Sequence, residues 1–181
     1  MKKLKDIIQE RLHINKDTGN HDHHYNYHPK TYNELKELVY KLIIERGNDA
    51  DLNDIDTSEI TDMKSLFYRS KFNGDISQWN VSNVYDMSYM FSYSEFTGEN
   101  CDISNWNVRK VIKMRGMFYN SKFNRDISEW NVSNVEDMSG MFYNSEFNGD
   151  ISKWNVSNVK TMNYMFYKSP IEKNPPKWYK N

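Results

Sequence analysis

From residue 51 onward, apolar side chains return in a fixed frame. Ile76, Trp79, Val81 and Val84 are followed by Met87, Met90, Phe91 and Phe96, and the same types recur at Ile103, Trp106, Val108, Val111, Met114, Met117, Phe118 and Phe123. The motif Asp-Ile-Ser-x-Trp-Asn-Val stands at 75–81, 102–108, 126–132 and 150–156, spacings of 27, 24 and 24 residues. A divergent copy fits at Asp51-Leu52, with Ile55, Thr57, Ile60 and Met63 in register. Three extra residues near Glu99-Asn100-Cys101 account for the longer unit. A period of this length predicts a solenoid, in which each unit buries its apolar face only against its neighbours.

Within one unit, Ile76, Trp79, Val81 and Val84 occupy relative positions 1, 4, 6 and 9, a spacing that predicts a short strand near 78–81. Val84, Met87, Met90 and Phe91 then fall at helical spacing, and Asn83 with Asp86 offers an N-cap and a first-turn acid, so a short helix is expected after each strand. Gly74, Gly98 and Gly149 fit turns needing a positive φ, although Arg125 stands at the fourth link. The expected fold class is therefore α/β, a leucine-rich-repeat-like solenoid of about five coils with an N-terminal helical cap. At about 4.7 Å per coil its parallel ladder would be only about 20 Å high and would need covered ends.

Residues 1–50 read as one cover: Leu4, Ile7, Ile8 and Leu12 form one stripe. Thr31-x-x-Glu34 is a capping box ahead of Leu35, Leu38, Val39, Leu42 and Ile43, closed by Gly47. Between these helices, residues 15–30 read as a polar loop. Residues 51–169 are the repeats. From Pro170 to residue 181, Pro175-Pro176 and Trp178-Tyr179 break the pattern and are expected to form a C-terminal cap.

The unit Asn-Gly-Asp-Ile-Ser-x-Trp-Asn-Val-Ser-Asn-Val-x-x-Met-x-x-Met-Phe resembles the BspA-like leucine-rich repeats, also called the mycoplasma lipoprotein repeat, over residues 51–169. The resemblance implies a repeat solenoid used for protein recognition. Secreted members of that family look like adhesins, and no catalytic residue comes with the likeness.

Composition narrows the function classes. With 24 basic and 25 acidic residues the net charge is -1, which supplies no field for general nucleic-acid binding. No apolar run is long enough to span a membrane, and Met1-Lys2-Lys3-Leu4-Lys5-Asp6 does not read as a signal peptide, so a cytoplasmic monomer is expected. The one cysteine, Cys101, excludes an internal disulfide. Charge is uneven: Asp51, Asp54, Asp56, Glu59 and Asp62 crowd the first unit, while Lys168, Lys173, Lys177 and Lys180 oppose only Glu172 at the end.

Four groups of residues are candidates for function. Asn80, Asn107, Asn131 and Asn155 form a polar column that reads as a side-chain amide ladder. Two variable columns lie beside it, one reading Gln78, Asn105, Glu129 and Lys153 and the other carrying Arg109 among serines. Packing does not fix these positions while the repeat frame is held constant, so they are the expected carriers of partner specificity, the bland reading being a plain solvated face and the tyrosine column the competing surface. Tyr68, Tyr119, Tyr143 and Tyr167 directly follow a Phe of the repeat, with Tyr85, Tyr89, Tyr93 and Tyr164 nearby, and offer rigid amphipathic contact area, or the outer layer of the core. His21, Asp22, His23, His24 and His28 are the one cluster of transition-metal ligand types, in a segment without a placed general base. No cofactor or metal is expected from these patterns. The Trp and Met columns read as core.

The leading reading is a non-enzymatic protein-protein interaction module with a protein partner. An inhibitor that occludes a larger machine in bacterial or phage conflict is one form of it. A surface adhesin and a metal-dependent enzyme on the His loop are the alternatives from other classes.

Overall fold

The computed structural model describes residues 25–180. The stripe Leu4, Ile7, Ile8 and Leu12 and residues His21 to His24 lie outside this range. The expected α/β architecture of strand plus helix in each of about five coils is not what the chain forms. Among the described residues there is one α-helix, α1 (Tyr32–Arg46), one short 3₁₀ segment (Pro170–Lys173), and no sheet, only isolated parallel bridges.

Helix α1 forms as its sequence predicts. Thr31 Oγ1 accepts the Glu34 amide at 3.3 Å, and Glu34 reaches back to the Lys30 amide at 2.7 Å. Gly47, at φ 96°, ends the helix with its N–H on the Ile43 carbonyl. Leu35, Leu38, Val39 and Leu42 are buried in the same core as the repeats.

The Met-x-x-Met-Phe segments, expected to be helical, are instead chains of tight turns. In the first repeat the amides of Leu66, Tyr68 and Ser70 each close a turn on the carbonyl three residues back. The alternate amides, those of Met63, Ser65, Phe67 and Arg69, point to the next repeat and donate to Asp86, Ser88, Met90 and Ser92 at 2.9–3.0 Å. The same pattern joins Met87, Tyr89, Phe91 and Tyr93 to Lys113, Arg115, Met117 and Tyr119, and it continues through the following repeats.

Left-handed backbone makes this alternation possible. Ser65, Tyr89, Gly116, Gly140 and Tyr164 form one column at φ 57–61°, and Arg69, Tyr93, Asn120, Asn144 and Lys168 a second at φ 50–60°. These are third residues of the turns, where a type II turn requires a positive φ. A helix cannot contain them, which is why the i, i+3, i+4 spacing misleads.

The expected strand at 78–81 is also absent. The Trp79 amide turns back on the Ile76 carbonyl, and the repeat-to-repeat bridges join Asp51 to Asp75 and run through Asp62, Asp86, Lys113, Asp137 and Thr161 instead. Asn83 does not cap a helix; its Nδ2 donates to the Ser58 carbonyl of the preceding repeat at 2.8 Å. Of the glycines expected at positive φ only Gly98 has it. Gly74 is required by proximity, since a Cβ there would lie 2.0 Å from the Ala50 carbonyl oxygen.

The apolar frame is placed as the sequence implies. Ile76, Trp79, Val81, Val84, Met87, Met90, Phe91 and Phe96 are all buried, as are their equivalents through Phe147. Phe67, Phe91, Phe118, Phe142 and Phe166 stack in series with ring centroids 5.4–6.0 Å apart. The indole N–H groups tie the repeats together: Trp79 donates to Leu52 O, Trp130 to Ile103 O and Trp154 to Ile127 O at 2.9–3.1 Å. Trp106, which follows the three-residue insertion, breaks the series, and its buried Nε1 meets no partner among the described residues.

This difference sets a test. Trp130→Phe loses an indole hydrogen bond, whereas Trp106→Phe removes an unsatisfied buried donor. Trp130→Phe is therefore expected to be the more destabilising by about 1–3 kcal/mol. Denaturant midpoints of the two variants measure it, and equal losses would mean that the indole bonds contribute nothing.

Candidate functional site: two exposed columns on the repeats

Short polar residues punctuate each repeat by hydrogen bonding to the backbone two residues on. Asp75 takes the Ser77 amide, Asn80 the Ser82 amide and Asp86 the Ser88 amide, at 2.8–3.1 Å. Asn107, Asn131 and Asn155 do the same for Arg109, Ser133 and Ser157. The Asn80 column is thus a set of local turns, not an amide ladder running up the stack. Asn83, Asn134 and Asn158 make the inter-repeat amide bonds instead, to Ser58, Arg109 and Ser133 carbonyls. The Asp-x-Ser and Asn-x-Ser spacings were the available signal in the sequence.

These turns leave two candidate columns on different segments of the repeat. Gln78, Asn105, Glu129 and Lys153 follow the Asp-x-Ser turn and are exposed, and Arg109, after the Asn turn, is exposed beside them. Between the second and third repeats this face holds a depression of about 410 Å³ bordered by Gln78, Asn80, Asp102, Asn105 and Asn107.

Tyrosines follow the buried Phe column. Tyr119 and Tyr143 stack at 4.6 Å with planes 2° apart, and Tyr143 continues to Tyr167 at 5.1 Å. In the other direction Tyr119 meets Tyr93 at 5.4 Å, and Tyr93 meets Tyr68 edge-on at 6.0 Å. Tyr93 sits one residue later than the sequence frame predicts, with Ser92 in the aligned place, yet its ring completes the column. Tyr119 and Tyr143 are half-buried, whereas Tyr68, Tyr93 and Tyr167 are 44, 42 and 40% exposed. The guanidinium of Arg69 lies 5.3 Å from the Tyr68 ring centroid and 5.4 Å from that of Tyr93, and Lys168 lies 5.4 Å from that of Tyr167. Burial, then the neighbouring Tyr93 and Tyr143, raise the Tyr119 hydroxyl above its ordinary value.

The acids of the first repeat are met by the N-terminal segment. Arg46 grips Asp54 through two bonds of 2.9 Å, and Asn26 adds a third. Burial alone would raise the Asp54 carboxyl, but the Arg46 and Asn26 bonds outweigh it and hold the group below its usual value. His28 Nδ1 lies 3.2 Å from Asp56, and Lys30 pairs with Glu59. Of the candidate metal cluster, His28 alone is described, and no group of three His, Cys, Asp or Glu among the described residues could hold an ion. No helix among the described residues is long and apolar enough to cross a membrane.

The three-residue insertion places the Cys101 thiol in the interior, where its sulfur accepts the Ile76 amide at 3.3 Å. Burial pushes the thiol up to about 12.

The fold defines a repeat protein whose units are held by turns and inter-repeat hydrogen bonds. The family described as mycoplasma protein of unknown function, DUF285, matches this chain twice, over residues 33–122 and 94–179. The chain belongs to that family. The leucine-rich coil that the sequence resemblance implied is not what its repeats form. No curated protein and no solved structure matches the chain.

Cys101 gives a direct check on this geometry. At pH 8 the folded thiol stays protonated and enclosed, so Ellman's reagent should label it at least a hundredfold more slowly in buffer than in denaturant. Equal rates would show that the insertion is open to solvent.

Proposed function

We propose that this protein is a non-enzymatic protein-binding module whose contact surface is the tyrosine column Tyr68, Tyr93, Tyr119, Tyr143 and Tyr167. The observation that carries this reading is that the column lies outside a core which the stacked Phe rings already complete. Aromatic rings held in fixed positions by their neighbours lose little entropy on contact, and tyrosine presents both an apolar face and a hydroxyl. Arg69 and Lys168 add cations at the two ends of the column. Occlusion of a larger machine, the form an inhibitor would take, needs only such a surface.

Gln78, Asn105, Arg109, Glu129 and Lys153 form the competing face. They vary in charge from repeat to repeat but are individually solvated, and exposed charges contribute little contact energy unless a partner desolvates them.

The test begins with a benzophenone amino acid in place of Tyr143, to cross-link the partner in native cells. Binding of that purified partner is then measured. Tyr119→Ser with Tyr143→Ser should weaken it at least tenfold with the circular dichroism unchanged, and Tyr93→Ser should weaken it in the same direction. Arg109→Ser, Glu129→Ser and Lys153→Ser combined should change it less than threefold. The reverse ranking would assign recognition to the variable charged face, and normal binding by both variants would remove both columns from the interface.

A further inference from the structure

Each repeat donates a row of alternate amides to the next one, and among the described residues the row that starts at Met162 meets no following repeat. That row comprises the amides of Met162, Tyr164, Phe166 and Lys168, equivalent to Met138, Gly140, Phe142 and Asn144, which bond Thr161, Asn163, Met165 and Tyr167. The Lys168 amide is met by Glu172 Oε2 at 2.8 Å. No acceptor among the described residues meets the other three.

The C-terminal segment crosses this end without closing the row. Trp178 takes the next place in the indole series, donating to the Ile151 carbonyl at 3.1 Å, and Tyr179 packs edge-on against Phe166 at 4.7 Å. Between this segment and the last repeat lies a cavity of about 670 Å³, bounded by Met162, Tyr164, Phe166, Glu172, Tyr179 and Lys180. Met162 is half-buried although its equivalents Met87, Met114 and Met138 are fully buried, and Tyr164 is 68% exposed.

We propose that this end is a docking site for an extended acidic peptide, whose main-chain carbonyls take the amides of Met162, Tyr164 and Phe166. The donors sit on alternate residues, the spacing that one edge of an extended chain can match, and an unpaired edge of this kind is a template for strand addition. Charge chooses the side chains. After residue 150 there are six lysines and one acid, Glu172, and of those lysines Lys160 already pairs with Glu136. Lys180 borders the cavity together with Glu172, and the excess of lysine in this segment favours an acidic ligand over a basic one. A second copy presenting this same end does not fit, because two such ends would face donor to donor and lysine to lysine. This site is separate from the tyrosine column and stands whether or not that surface binds protein.

The test uses the full 181-residue chain, labelled with nitrogen-15, and the peptide acetyl-(Glu-Val)4-amide. In the free protein, the amides of Met162 and Tyr164 should exchange with solvent at least tenfold faster than those of Met138 and Gly140. Adding the acidic peptide at about 1 mM should slow Met162, Tyr164 and Phe166 at least fivefold, with (Lys-Val)4 leaving them unchanged. Lys177→Glu with Lys180→Glu should weaken the acidic peptide at least fivefold while the shifts of Tyr119 and Tyr143 stay in place. Full protection of these amides in the free protein, no effect of the acidic peptide, or equal effects of the two peptides would overturn the proposal.

Discussion

Each repeat of this protein depends on its neighbours to satisfy its backbone. A buried amide without an acceptor costs on the order of 1–3 kcal/mol, and the turn segments around Met87, Met90 and Phe91 lie against the core. Half of their amides close turns within the repeat, and the other half have acceptors only in the next one. A single repeat could not satisfy this accounting. The hydrogen bonds and the burial of Trp and Phe therefore act together, and both are properties of the stack.

That dependence explains which parts were legible in the sequence. The apolar frame was readable residue by residue: Ile76, Trp79, Val81, Val84, Met87, Met90 and Phe91 are buried as their period requires. Helix α1 was readable to its caps, since Thr31, Glu34 and Gly47 carry local chemistry that tertiary context does not override. The backbone between apolar positions was not. A Met-x-x-Met-Phe run is compatible with a helix and with consecutive turns, and periodicity alone does not separate them. The deciding residues adopt positive φ at Ser65, Tyr89 and Tyr164, where no glycine advertises it. Gly116 and Gly140 stand in the same column and were the available clue.

The candidate surfaces were legible to different degrees. The variable column at Gln78, Asn105, Glu129 and Lys153 was identified and is exposed, but exposure alone gives it no chemistry. Tyr93 is legible in the sequence only as a neighbour of the tyrosine column, because its one-residue offset hides its place in it until the rings are seen in space. The row of unmatched amides in the last repeat could not be read from side chains at all, because it is a property of backbone direction.

The central claim is that successive repeats are joined by backbone hydrogen bonds between consecutive turn segments. Scalar couplings across hydrogen bonds, measured between amide nitrogen and carbonyl carbon by NMR, report such partners one by one. The account predicts couplings from the Phe91 amide to the Met117 carbonyl and from the Phe118 amide to the Met141 carbonyl. Couplings from those same amides to Met87 and Met114, the partners four residues back in a helix, would contradict it.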